Sequence, residues 1–273
     1  MKNLRIYGKK PFNVAVIHGG PGAPGEIAAV ARELSSIRGV LEPLQTATSL
    51  KGQVRELHNV LKEKGDIPVT LIGWSWGAWL SYIFTTQYLS FVKKLILIGS
   101  GPYEEKYALN IMKTRLSRLS EEERTEVISL MATLNDSAFK DKNTLMARFG
   151  KLISKADLYD PLPYDSEVLQ YKYDIYQKVW EQASELRGSG RLLELGKKIR
   201  CPVVAIHGDY DPHPFEGTRD PLSCVLKDFR FILLRNCGHY PWLERTARDR
   251  FFSILKKEVQ YCFPVIFGFM ALL

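Results

Sequence analysis

Ser75 stands at the centre of Gly73-Trp-Ser-Trp-Gly77, a G-x-S-x-G run that follows the apolar stretch Val69-Thr-Leu-Ile72 and leads into Ala78-Trp-Leu-Ser-Tyr82. A serine between a strand and a helix must sit on a sharp, strained turn, and small residues two positions away on either side keep neighbouring elements from colliding with it. Its hydroxyl would project from the C-terminal edge of a sheet, near the positive end of the following helix. A serine hydroxyl is a weak nucleophile near neutral pH, so this turn implies a base, and the base implies an orienting carboxylate.

Five histidines are available as the base. His18 belongs to a glycine loop, where a structural hydrogen bond is the expected role; His58 lies on a helix among charged residues; His207 ends a strand; His213 sits between prolines. His239 follows Cys237-Gly238 after the last apolar run and precedes the last helical pattern, which places it in a loop on the same sheet edge as Ser75. For the acid, Val203-Val-Ala-Ile-His-Gly-Asp-Tyr-Asp211 puts two aspartates just past a strand end. Asp211 lies deep enough in the loop to reach over the edge, whereas Asp209 is placed to form the turn. The chain order Ser75, Asp211, His239 differs from the chymotrypsin and subtilisin orders.

A tetrahedral intermediate needs hydrogen-bond donors around its negative oxygen. His18-Gly-Gly-Pro-Gly22 also follows an apolar run, and its glycines let backbone N–H groups turn towards a ligand. Pro21 has no N–H, so the expected oxyanion donors are Gly20 and Trp76, the residue after the serine. A phosphate-binding reading of this loop lacks G-x-G-x-x-G or a G-K-[ST] ending.

These loops need a parallel sheet to hold them. Runs of strand length lie at 3–7, 12–17, 40–44, 69–72, 95–98, 203–206 and 229–234, and helical spacing covers 26–37, 52–64, 78–89, 121–134, 168–186 and 242–259. Strands alternating with helices imply βαβ units and a mostly parallel sheet. From Tyr103 to Gly190 there is no convincing β-run. Residues 103–190 therefore read as a helical cap inserted into a core made of residues 1–102 and 191–273.

With 273 residues, 45% hydrophobic and 25% charged, the chain reads as one globular α/β domain with an insertion. The net charge of +8 divides into +6 on residues 1–102, −2 on 103–190 and +4 on 191–273, with basic runs no longer than two residues. That is a solvated surface rather than a nucleic-acid face. Residues 1–11 carry lysines without an apolar export segment. The uncharged tail 261–273 is shorter than the roughly 20 residues a membrane-spanning helix needs, so no membrane span is expected. Cys201, Cys224, Cys237 and Cys262 lie far apart without metal-like spacing, which points to reduced thiols in the cytoplasm and to no metal or organic cofactor.

Taken in order, the His-Gly-Gly-Pro-Gly loop, the turn at Ser75, the helical insertion, His207-Gly-Asp-Tyr-Asp-Pro212 and Gly238-His-Tyr-Pro-Trp-Leu-Glu244 resemble the α/β-hydrolase superfamily. The likeness covers nearly the whole chain. His-Gly-Gly-Pro-Gly and Ser-Trp-Gly look like its proline iminopeptidase branch, from which the chain departs at Trp74, usually a small residue there. Glu181 and Glu185 are the acidic residues considered as amine ligands there, with a solvated helix face the favoured reading of both. The resemblance implies an α/β-hydrolase fold and a serine hydrolase that cleaves a carboxylic ester or related acyl bond of a small substrate through an acyl-enzyme. The alternatives are a proline iminopeptidase-like aminopeptidase and a non-catalytic ligand-binding protein. Trp74, beside the nucleophile, is a candidate wall of an acyl pocket, and Trp79 is expected in the core.

Overall fold

In the computed structural model, which describes residues 3–260, the strands are β1 (Leu4–Tyr7), β2 (Val14–Ile17), β3 (Val40–Pro43), β4 (Val69–Trp74), β5 (Val92–Ile98), β6 (Val203–Gly208) and β7 (Phe229–Leu234). They form one sheet in the order β1-β3-β2-β4-β5-β6-β7, parallel except where β1 runs antiparallel to β3. The strand-length apolar runs all fall on these strands, with ends differing by up to three residues. The tail 261–273, Cys262 included, lies outside the described residues.

The central strands are buried on both faces because their side chains alternate between two apolar layers. Ala15, Ile17, Leu71, Leu95, Leu97 and Ala205 pack on one side with helices α2 (Leu50–Lys64) and α3 (Trp76–Gln87). Val14, Val16, Ile72, Ile96, Ile98, Val204 and Ile206 face α1 (Ala28–Leu34) and the C-terminal helix Arg248–Gln260 on the other. Helix α3 is buried nearly all round, since it follows the central strand β4 and is covered on its outer side.

Between β5 and β6 run α4 (Ile111–Ser117), α5 (Glu121–Asn135), α6 (Lys142–Asp157), α7 (Tyr173–Gly188) and the short α8 (Arg191–Glu194). Leu119, Val127, Leu130, Leu152 and Ala156 give this segment a small core of its own. α9 (Glu216–Val225) joins β6 to β7, and α10 is the C-terminal helix, Arg248–Gln260.

Three helical spacings begin too early. Helix α1 starts at Ala28 rather than Glu26, because Gly25 at φ 120° turns the chain. The pattern at 168–186 yields a helix only from Tyr173, since the preceding backbone is held in a non-helical path by Leu169 N–H bonding Pro24 O (2.9 Å) and Lys172 N–H bonding Gly22 O (2.8 Å). The last helix begins at Arg248 because residues 241–247 turn around the buried Glu244, whose carboxylate accepts backbone N–H groups of Gly238, Tyr159 and Asp160. No helix among the described residues is long and apolar enough to cross a membrane.

Candidate active site

Ser75 links β4 to α3 with φ 54° and ψ −118°, a left-handed conformation that a side chain adopts only when its surroundings impose it. Its N–H is anchored to Ile98 O at 2.9 Å. The flanking glycines are steric requirements: a Cβ on Gly73 would collide with the backbone of Gly77, and a Cβ on Gly77 with the carbonyls of Ile17 and His18. Trp76 is the first residue of α3, so its N–H has no partner within the helix. Its indole N–H donates to Gln53 Oε1 (3.1 Å), which fixes the ring.

The glycine loop leaves β2 beside this turn. His18, fully buried, donates from Nδ1 to Gly19 O (2.7 Å) and accepts the Gln45 N–H at Nε2 (3.2 Å), the structural role expected for it. Burial drives its pKa down to about 4, so the ring stays neutral. Gly20 has φ 37° and lines one cavity together with Ser75 and Trp76. Gly22 and Gly25 have a different reason to lack side chains. A Cβ at either would run into the carbonyl of Lys172 or Glu167, in the segment that leads into α7.

Asp211, in the loop after β6, accepts hydrogen bonds at both carboxylate oxygens. Oδ2 takes His239 Nδ1–H at 2.7 Å; Oδ1 takes His213 Nδ1–H at 2.8 Å and the His213 backbone N–H at 2.9 Å. His207 Nε2 lies 3.4 Å from Oδ2 and donates to His213 O at 2.9 Å. Burial alone would raise the Asp211 pKa, but the surrounding imidazoles outweigh it and hold the carboxyl well below its usual range. Burial pulls His239 down, while the charge and hydrogen bond of Asp211 lift it above an ordinary imidazole. The His239 main chain is held as well: its N–H bonds Asp157 O (2.8 Å) and its carbonyl accepts the Trp74 indole N–H (2.9 Å).

Ser75, His239 and His213 open onto one cavity of about 350 Å³. The sheet side of its wall includes Gly20, Trp74 and Trp76; the helical side includes Met112, Met146, Phe149, Ile153, Tyr176 and Trp180. Two arginines also line it, and both are bound to carboxylates. Arg115 makes a bidentate pair with Asp157 (2.7 Å twice), and Arg187 bonds Glu105 at 2.7 Å. Glu26 reaches the same cavity from the turn before α1, and burial pushes its pKa up to about 7, opposed by His239 and reinforced by Asp157.

The model for the alpha/beta hydrolase family matches residues 18–253 of this sequence. The chain belongs to that family. Among solved structures it is similar to a proline iminopeptidase of Mycobacterium smegmatis, at 16% identity and TM-score 0.60, covering 94% of this chain and 93% of that one. It is equally similar to a putative lipase of Acinetobacter baumannii AYE (17%, TM-score 0.61, covering 93% and 87%). A 2-hydroxy-6-oxo-6-phenylhexa-2,4-dienoate hydrolase of a Rhodococcus species gives 17%, TM-score 0.60 and 94% of both chains. No curated protein matches the sequence.

Against the alpha/beta hydrolase pattern, the remaining sequence candidates sort by position. Trp74 is both a cavity wall and core: 2% exposed, it packs on Tyr240 and Trp242 and abuts Gly19. Trp79 lies in the core, with its indole N–H on Gly101 O and its ring stacked on Trp180. Asp209 ties the ends of β6 and β7 together through Leu234 O and the Cys237 N–H. Glu181 and Glu185 are exposed on α7 and do not line the cavity, and Glu185 pairs with Arg191.

Glu26, the Arg115–Asp157 pair and His213 reach the site without having been singled out for it. Only His213 carried a local signal: its spacing two residues after an aspartate is that of an Asx-type turn, which the Asp211 Oδ1 to His213 N–H bond forms. Asp211, His213 and His239 are also the one group among the described residues with ligand atoms close enough for a metal ion. Each of the nitrogens nearest Asp211 is already hydrogen-bonded to it, so the group is complete as a network of protons.

Proposed function

We propose that this alpha/beta hydrolase is a serine hydrolase that cleaves a carboxylic ester or related acyl bond of a small substrate. Ser75 Oγ attacks the acyl carbon while His239 Nε2 takes its proton, and Asp211 holds the Nδ1–H of the imidazolium that forms. The N–H groups of Gly20 and Trp76 receive the oxyanion. His239 then protonates the leaving group, and a water repeats the sequence to free Ser75 from the acyl-enzyme. Residues 103–190 act as a cap over a core of residues 1–102 and 191–273. The reading puts the protein in the cytoplasm, where the free thiols of Cys201, Cys224 and Cys237 stay reduced.

One observation carries it: a strained Ser75 and an Asp211-bound His239 face the same cavity. The apolar helical wall suits a hydrocarbon or aromatic acyl group. Because Arg115 and Arg187 are each committed to a carboxylate, the wall offers little to an anionic substrate, and a neutral one fits better. Glu26 favours a second reading, an aminopeptidase, since its carboxyl faces the cavity and could meet a substrate amine.

A fluorophosphonate probe is expected to label the wild-type protein and to leave Ser75→Ala unlabelled at an unchanged melting temperature; equal labelling of both overturns the assignment. With a raised His239 pKa, labelling falls as pH drops through a value above that of a free imidazole. A panel of short acyl esters, thioesters and aminoacyl amides, including N-terminal proline, separates esterase from aminopeptidase. Tight small-molecule binding with no turnover and no labelling would instead mark a receptor on this fold.

A further inference from the structure

We propose that His213 is a positioning residue of the catalytic machinery, holding Asp211 from the cavity side so that its other oxygen stays aimed at His239. The proposal rests on the hydrolase reading of Ser75, Asp211 and His239.

A carboxylate bonded through Oδ2 alone is free to turn about its own axis. Here Oδ1 is pinned by both the side chain and the main chain of His213, at 2.8 and 2.9 Å, which fixes the carboxylate plane relative to the His239 ring. His213 is itself held. Pro212 and Pro214 on either side narrow its backbone, and its carbonyl accepts the Nε2–H of His207, a 1% exposed residue at the end of β6. Rigidity therefore passes from the sheet through His207 and His213 to Asp211 and then to His239.

The second consequence is electrostatic. Two N–H dipoles on Oδ1 spread the negative charge of Asp211, so less of it is concentrated on the imidazolium that His239 becomes. The rings of His213 and His239 lie 4.7 Å apart at a 36° tilt, and burial keeps His213 neutral, its pKa lowered to about 4, so it adds no second positive charge. The proton on His239 is then easier to pass to a leaving group. Other ionisable groups facing this network are His207 on β6, Glu216 at the start of α9, Arg115 on α4, Asp157 at the end of α6 and Glu26 before α1. All of them persist when only residue 213 is changed.

The test is the rate of fluorophosphonate labelling of Ser75 against pH in wild type, His213→Leu and His213→Asn. Leucine removes the side-chain donor, whereas asparagine carries a short N–H donor able to take the place of Nδ1. His213→Leu is expected to label about tenfold more slowly, the order of one hydrogen bond to a charged group, with its acid limb moved to higher pH. His213→Asn recovers most of the rate and returns the limb towards wild type. If His213→Leu melts too early to assay, His213→Ala replaces it in the same comparison.

A leucine or alanine variant that matches wild type in rate and limb overturns the proposal. So does an asparagine variant as slow as the leucine one, which would make the ring a cavity wall only. A wild type that takes no label overturns the hydrolase reading, and this inference with it.

Discussion

The two walls of the cavity are built on different principles. The sheet wall, which includes Trp74 and Trp76, is set by the backbone behind it: a left-handed serine, glycines that cannot carry a Cβ, and a neutral histidine hydrogen-bonded to main-chain groups. The helical wall is made of side chains, with apolar residues around two arginine–carboxylate pairs. Backbone geometry leaves few substitutions open, so the sheet wall is constrained residue by residue. Side-chain packing is adjustable, so the helical wall is where alpha/beta hydrolases with the same core can differ in what they accept.

The sharpest way to break the contrast is Gly77→Ala, whose methyl group would meet the carbonyls of both Ile17 and His18. A backbone obstruction cannot swing aside, so the expected result is loss of about 4 kcal/mol or more and little folded protein, read by circular dichroism and yield. A fully folded, active variant would show that the turn at Ser75 yields as easily as the helical wall.

Next in size is Arg115→Met. It strands the Asp157 carboxylate, whose side chain is 2% exposed, and is expected to cost about 3 kcal/mol in a denaturant titration. Adding Asp157→Asn removes the stranded charge and should recover most of that loss. Failure of the second change to help would mean that Arg115 contributes by packing alone.

The smallest effect comes from acid. His18 binds its proton near pH 4 in the folded state, against an ordinary imidazole in the unfolded chain, so the unfolded state takes up more protons between these values. Stability from His18 is complete above the unfolded pKa and is lost as pH falls. Between pH 7 and 5 the wild type should lose about 2 kcal/mol more than His18→Asn in parallel urea titrations. Identical losses would remove His18 from the acid sensitivity of the sheet wall.

How far the sequence could be read follows the same division. The strands, the turn at Ser75 and the loop at His18 were visible because each demands a residue type at a fixed spacing: alternating apolar residues, or glycine beside a crowded turn. Pairs such as Arg115 with Asp157 span 42 residues and join two helices, and neither residue differs locally from a solvated surface charge. Helix α7 misled at its start, because residues 168–172 have helical spacing but are drawn straight by backbone bonds to a loop some 150 residues away in the chain. Glu26 was read as the first residue of a helix, whereas Gly25 turns the chain and leaves its carboxyl on the cavity.

Those backbone bonds bear on how such a protein can be re-engineered. The segment 167–172 lies so close to Gly22 and Gly25 that its carbonyls occupy the space where side chains would be. Grafting this helical region onto another family member's core would therefore fail at the loop after β2 unless that loop also lacks side chains at the places of Gly22 and Gly25. On the cap reading proposed above, the exchangeable module is the helical segment between β5 and β6 together with the stretch from Gly22 to Gly25, a unit that is discontinuous in sequence and joined by backbone hydrogen bonds.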